Sequence, residues 1–351
     1  VTGGLVGILG VEVPVVLGPF GGLSNVELTA TVSELGGLGS YGLYGYDASR
    51  IRTVVADLRA ATRRPFALNL WLATGDEVSG ADCDRDECVL PLLPLFAVLG
   101  LAPPDTLPDR FLPDLGEQID AVIDARPRVI SFVYGVPPPD VVEAAHRAGA
   151  AVLGTATTVE EAVALAAGGV DAVIASGAEA AGHRVSFLRP PEDSLVGTFA
   201  LVPQVVDAVD VPVIAAGGIA DRRGVAAALA LGAQGVQVGT AFLTTRQSAA
   251  ADSYRAAVRE CAAHDTVLTR AMSGRLARGL PNLATQTIEA SGAIAAFPAQ
   301  NWLTGQFRAP AAHAGRADLL SLWAGQAAAL SGLDDARDVF DELVAGLPSH
   351  A

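Results

Sequence analysis

Val213-Ile214-Ala215-Ala216-Gly217-Gly218-Ile219-Ala220-Asp221 is the stretch on which the fold turns. Small and branched apolar residues run unbroken into two glycines, as in a strand buried on both faces. Ala-rich sequence follows from Asp221. Glycines at such a strand end let the backbone come close to an anion. The helix start beyond them offers N–H donors, and Asp221 is a capping residue type. Gly235-Val236-Gln237-Val238-Gly239-Thr240-Ala241-Phe242 then repeats the pattern, strand into Gly-Thr.

On either side of these runs the same alternation continues. Strands are expected at 13–18, 37–41, 66–71, 129–134, 150–154, 172–176, 212–216 and 235–238. Helices are expected near 24–35, 48–62, 116–125, 139–148, 158–168, 198–208, 222–231 and 249–263. Strand–helix alternation means parallel βαβ units, and eight of them is the count of a (β/α)₈ TIM barrel. A doubly wound open sheet is the alternative, but nothing marks a reversal of strand order. The two glycine pairs then follow strands seven and eight, where such barrels commonly bind phosphate. The expected organisation is one α/β barrel domain over 1–351. Residues 73–115 form an insertion after strand three, and 265–351 a partly helical C-terminal extension over or beside the mouth.

Composition removes several function classes. The net charge of −15 repels nucleic acid and anionic membrane surfaces. All 23 basic residues are arginine, so Schiff-base and pyridoxal-phosphate chemistry, which need a lysine amine, are excluded. Three cysteines, Cys83, Cys88 and Cys261, are too few for a disulfide scaffold and fit a reducing cytoplasm. Val1 to Gly18 is apolar but lacks a basic start, carries Glu12 and runs into strand-like sequence, so no signal peptide is expected. No apolar run is long enough to suggest a membrane span.

Other patterns are weighed one by one. Ser176-Gly177-Ala178-Glu179-Ala180-Ala181-Gly182-His183 puts a histidine just past strand six, facing the mouth. An imidazole there suits proton abstraction, although it could serve only local hydrogen bonding. His146, His264, His313 and His350 lack such a setting. Asn69, inside the apolar run Phe66–Trp71, needs hydrogen-bond partners that a cofactor, a side chain or a water could supply. Gly37-Leu38-Gly39-Ser40-Tyr41-Gly42 matches GxGxxG but lies in or beside strand two, away from a helix start, so a dinucleotide-binding reading fails. The acidic run from Asp82 to Cys88 has neither EF-hand nor zinc-site spacing; no metal site is expected.

Taken together, the motifs resemble the nitronate monooxygenases, formerly called 2-nitropropane dioxygenases, over nearly the whole chain. Gly18-Pro19-Phe20-Gly21-Gly22 is similar to the family's opening turn, Ser131–Pro137 to its SFxFGxP segment, Glu179–His183 to EAGGH, and Ala216–Asp221 to AAGGIAD. Ser273-Gly274-Arg275 and Gln300-Asn301-Trp302 also look familial. The resemblance implies non-covalently bound FMN, with Pro19, Phe20, Gly21, Asn69, Ser176, Ala181 and Gly182 along the cofactor. It implies that Gly217, Gly218, Gly239 and Thr240 take its phosphate, with Gln237 close by. It makes His183 the catalytic base and points to Tyr134 and Ser273 at the substrate pocket. Phe20, Ser176, Ala181 and Val185 depart from the family pattern, which bears on substrate identity more than on the cofactor.

The function so implied is oxidation of a small nitronate or nitroalkane by dioxygen to a carbonyl compound and nitrite, in a cytoplasmic monomer or homodimer. Two other classes stay open. Related FMN barrels reduce enoyl thioesters with NAD(P)H, or the flavin could serve oxygenation of another carbon acid. Without flavin, the same glycines could hold a sugar phosphate. Flavin colour in the purified protein separates the last from the others, and anaerobic bleaching by NAD(P)H separates reductase from oxygenase.

Overall fold

A computed structural model describes residues 4–348; His350 lies outside them. Eight parallel strands form the barrel: β1 Val15–Leu17, β2 Gly39–Gly42, β3 Phe66–Trp71, β4 Val129–Val133, β5 Ala151–Ala156, β6 Ala172–Ser176, β8 Val213–Ala216 and β9 Gly235–Val238. The label β7 belongs to the two-residue strand Gly182–His183. Neighbours pair in the order β1-β9-β8-β6-β5-β4-β3-β2. The ring closes where Leu17 N donates to Leu38 O and Leu38 N donates to Val15 O, both at 2.9 Å. The strands follow the expected (β/α)₈ barrel, with ends that shift by one or two residues.

The barrel interior is filled by one inward residue after another, among them Val16, Leu38, Ala67, Val129, Leu153 and Ile214. The helix α1, Leu5–Leu9, was not foreseen. Its Leu5 and Leu9 join that interior cluster, and Leu5 sits against Gly235 at the start of β9, so α1 closes the N-terminal end of the barrel. Five residues are too few to display helical periodicity.

Around the strands lie α2 Val26–Glu34, α3 Ala48–Ala61, α6 Leu115–Asp124, α7 Pro139–Arg147, α8 Val159–Ala167, α9 Thr198–Ala208 and α10 Arg222–Ala230. The short helices α4 Arg85–Val89 and α5 Leu93–Val98 belong to the 73–115 segment. Beyond β9 come α11 Thr240–Leu243, α12 Asp252–Glu260, β10 Val267–Thr269, β11 Ala277–Gly279, α13 Leu283–Ser291, α14 Ala299–His313 and α15 Ala336–Val344. Here the structure differs from the sequence expectation. The helix at 249–263 exists as α12, but its Tyr254 and Val258 pack into a second core with Leu92, Phe96, Leu303 and Phe307. The place of the eighth barrel helix is taken instead by α15. It packs against α2 and α10 and gives Val339, Phe340 and Leu343 to the main core. Sequence adjacency suggested α12, but burial is decided by which apolar face fits the gap between α10 and α2. Among the described residues, no helix is long and apolar enough to cross a membrane.

Candidate active site

The C-terminal ends of the strands open into one cavity. All the sequence-selected cofactor residues line it: Pro19, Phe20 and Gly21 after β1; Asn69 in β3; Ser176, Ala181 and Gly182 from β6 onward; Gly217 and Gly218 after β8; Gln237, Gly239 and Thr240 at the end of β9. So does His183. Tyr134 and Ser273 are not among the lining residues; each stands behind the wall. Tyr134 is buried against Trp71 at 5.0 Å between ring centroids, with φ of 70° and a hydroxyl that finds no partner. Ser273 is buried behind His183.

One end is made of backbone. Gly217 and Gly218 have φ of 98° and 73°, values that L side chains rarely adopt. A Cβ on Gly217 would lie 3.0 Å from Ala180 N and 3.1 Å from Gly177 O. A Cβ on Gly18 would lie 3.1 Å from Gly239 Cα, so the turns after β1 and β9 also touch. The start of α10 is already served by Asp221, which accepts from Arg223 N and Gly224 N. Donors for an anion therefore come from the loop at Gly217-Gly218 and from the start of α11, whose N-cap Gly239 has no capping side chain. Glu179, the one acid lining the cavity among the described residues, accepts from Thr198 N at 2.8 Å and Thr198 Oγ1 at 2.8 Å. Its charge is thus directed at the start of α9. An end of glycine N–H groups with no free carboxylate fits a phosphate.

The other end is made of side chains. His183 is held by pairing of β7 with β11, where it stands opposite Ala277. Its Nε2 is 2.8 Å from Ser273 Oγ, which donates to Arg275 O at 3.1 Å. The Ser273 contact and the strand pairing fix the orientation of the imidazole ring. Burial, then the charges of Arg275 and Arg308, push its pKa down to about 3. It is therefore uncharged at neutral pH. Its neighbours anchor the loop on both sides. The buried Arg184 donates to Gly177 O at 2.7 Å and Ser176 O at 3.0 Å. The buried Glu161 accepts from Phe187 N at 2.6 Å and Leu188 N at 3.2 Å.

Several lining residues escaped the sequence analysis. Tyr44, Trp71 and Phe297 form an aromatic wall, with Tyr44–Trp71 centroids 4.5 Å apart and Trp71–Phe297 at 6.2 Å. Trp71 and Trp323 flank His183 at 4.9 and 5.4 Å. Asn301 and Arg308 come from α14, and Gly325 N donates to Thr240 Oγ1 at 3.2 Å. The only advance sign of these was the familial look of Gln300-Asn301-Trp302. The 73–115 segment contributes no lining residue here. It lines a second hollow on the far side of Tyr44, Trp71 and Phe297, through residues such as Val78 and Phe111. Among the described residues, no group of three His, Cys, Asp or Glu side chains could hold a metal ion.

With this geometry in hand, comparison with known proteins is informative. The model of a family described as nitronate monooxygenase matches residues 4–346. A probable nitronate monooxygenase of Staphylococcus aureus (strain JH9) is 36% identical over 344 residues, covering 96% of this chain and 95% of that protein. Among solved structures, nitroalkane oxidase from Streptomyces ansochromogenes is similar with a TM-score of 0.86 and 36% identity, over 98% of this chain and 97% of that one. FabK from Thermotoga maritima is similar with a TM-score of 0.74 and 27% identity, over 97% and 94%.

Proposed function

The chain belongs to the nitronate monooxygenase family and is an oxidoreductase, and from that premise we propose that it uses FMN and dioxygen to convert small alkyl nitronates and nitroalkanes to a carbonyl compound and nitrite. In this reading Gly217, Gly218, Gly239 and Thr240 hold the phosphate through backbone N–H groups and the Thr240 start of α11. Pro19, Phe20, Gly21, Asn69, Ser176, Ala181, Gly182 and Gln237 lie along the ribityl chain and ring. Asn69 is already oriented, its Nδ2 donating to Ser131 Oγ at 3.0 Å and Ser131 O at 3.2 Å, which leaves its carbonyl oxygen as the group for a ring N–H. Bound FMN would accept electrons from the substrate and pass them to dioxygen. We also take the chain as one barrel domain whose 73–115 and 265–351 segments are additions to it.

His183 is the proposed base for neutral nitroalkanes. The observation that carries this is its placement: a cavity-lining imidazole held by Ser273 and by the pairing with Ala277, between Trp71 and Trp323. It is a weak base while the site has no substrate. Negative charge developing on a nitro group beside it raises its proton affinity, so proton transfer and charge development support each other. A nitronate has already lost that proton and asks only for binding and water exclusion, which the Trp71, Phe297 and Trp323 rings provide. Nitronate-dependent oxygen uptake with nitrite release, alongside a flavin absorption spectrum of the purified protein, tests the reading. A flavin-free protein, or a flavoprotein inert to nitronates but bleached anaerobically by NAD(P)H, would end it.

A further inference from the structure

The cavity contains one cation that no carboxylate neutralises among the described residues. Arg308, on α14, lines the wall beside Tyr44 and Asn301. Its Nη1 donates to Ser321 Oγ at 2.9 Å, and its Nη2 donates to Asn301 O at 2.9 Å and Asn301 Oδ1 at 2.8 Å. All three acceptors are uncharged. Its Nε is buried without a partner, so part of the guanidinium's five-donor fork is unused. Arg275, the other arginine near His183, differs: it pairs with Asp76 and with Glu77 at 2.7 Å. Glu179, the one acid on the cavity wall, is committed to Thr198. Burial pushes Arg308 down to about 10, which leaves it charged at neutral pH. A charge taken from water without a counter-charge is costly, and the missing counter-charge has to come from what the cavity binds.

The surroundings say what kind of anion fits. Asn301 Nδ2 donates to Tyr44 Oη at 3.1 Å, so the Tyr44 hydroxyl proton is free for another acceptor. Burial pushes the Tyr44 pKa up to about 12, which keeps that proton in place. Tyr44 packs on Trp71, and Trp71 packs on His183. A cation and a neutral O–H donor thus share one end of an aromatic slot whose other end is the imidazole. Nη1 keeps one N–H beyond its bond to Ser321, so Arg308 offers one charged donor and Tyr44 one neutral donor, a pair that matches a planar anion with two oxygens. We propose that Arg308 and Tyr44 form a receptor for the two-oxygen head group of an anionic substrate. The species the site takes best is then the preformed nitronate, a neutral nitroalkane is the slower entrant, and small carboxylates of the same shape occupy the same place. This rests on the function proposed above.

The test uses the holoprotein and isobutyrate, the carboxylate counterpart of propyl-2-nitronate, with calorimetric titration as readout. Isobutyramide serves as the uncharged control. R308M is expected to weaken isobutyrate about ten- to hundredfold, the range of a charge-assisted hydrogen bond. It should raise the KM for propyl-2-nitronate similarly and leave isobutyramide unchanged. R308K should recover most of the loss, and Y44F should weaken isobutyrate about three- to tenfold. If R308M does not fold, Y44F still decides, since unchanged isobutyrate affinity in that variant overturns the proposal. Equal loss of isobutyrate and isobutyramide overturns it as well. So does a shifted flavin potential with isobutyrate binding intact, because the cation would then serve the cofactor. A wild-type protein that binds isobutyrate through Arg308 but releases no nitrite would sink the functional reading while leaving the receptor standing.

Discussion

The glycine end and the histidine end of the cavity are built from different material. At Gly217-Gly218 and Gly239 the site is backbone, shaped by left-handed conformations and by approaches as close as 3.0 Å that a Cβ would obstruct. At His183 it is a layer of side chains drawn from β3, β7, α14 and the loops after β2, α13 and α14, and held by Ser273, Arg184 and Glu161. A backbone-built end can be written in a few consecutive residues. An end built from side chains needs distant segments to meet. The first suits an invariant group such as a phosphate, and the second can be changed one side chain at a time, which is where substrate choice resides.

Substitutions can break or sharpen this contrast. The largest effect is expected from H183N with a neutral nitroalkane: turnover should fall by about 10²–10⁴, the usual range for a lost general base, while turnover of preformed nitronate changes far less. Steady-state oxygen uptake on both substrates checks it, and equal losses would remove the base assignment. Next, G217V should emerge from purification with FMN affinity reduced about a hundredfold, since it combines a strained φ with a clash at Ala180. Flavin absorbance per protein measures this; a normal flavin content would show that the phosphate does not sit there. S273A should keep its flavin but lose about tenfold in nitroalkane turnover as the imidazole ring loses its fixed orientation. The same loss on nitronate would mean that Ser273 serves the fold and not the histidine.

The smallest effect concerns pH. Because His183 stays uncharged down to about pH 3, the kcat/KM for nitronate should have no limb near pH 6.5. Stability carries the matching signature. The unfolded chain takes up that proton near 6.5, whereas the folded chain takes it only near 3. Stability is therefore full above 6.5 and is lost as pH falls from there toward 3. Urea unfolding followed across that window should show a shallower loss in H183N by up to one proton.

The same contrast explains what could be read in advance. The barrel strands were legible because a strand buried on both faces must be continuously apolar. Gly217-Gly218 was legible because a left-handed turn that favours glycine leaves its mark where it occurs, and Gly239-Thr240 because it repeats the pattern of an apolar strand running into glycine. His183 stood out by its position after β6. Tyr44, Phe297, Trp323 and Arg308 did not, since nothing local distinguishes a pocket aromatic or arginine from one in a core or on a surface. Tyr134 and Ser273 were placed one layer too far forward: proximity to the mouth along the chain does not tell which way a side chain turns. Likewise α12 is the first helix of more than one turn after β9, yet α15 is the one that fits the groove between α2 and α10.

The sequence by itself therefore determined the barrel, the glycine end and the histidine's position, because each follows from local backbone geometry and from the period of apolar residues. Only the tertiary structure decided the state of that histidine and the charge of the cavity. Both depend on what is absent around a group as well as on what is present: water removed from His183, and a carboxylate that Arg275 has and Arg308 lacks. Such differences arise from residues brought together across most of the chain, and no short stretch of sequence contains them.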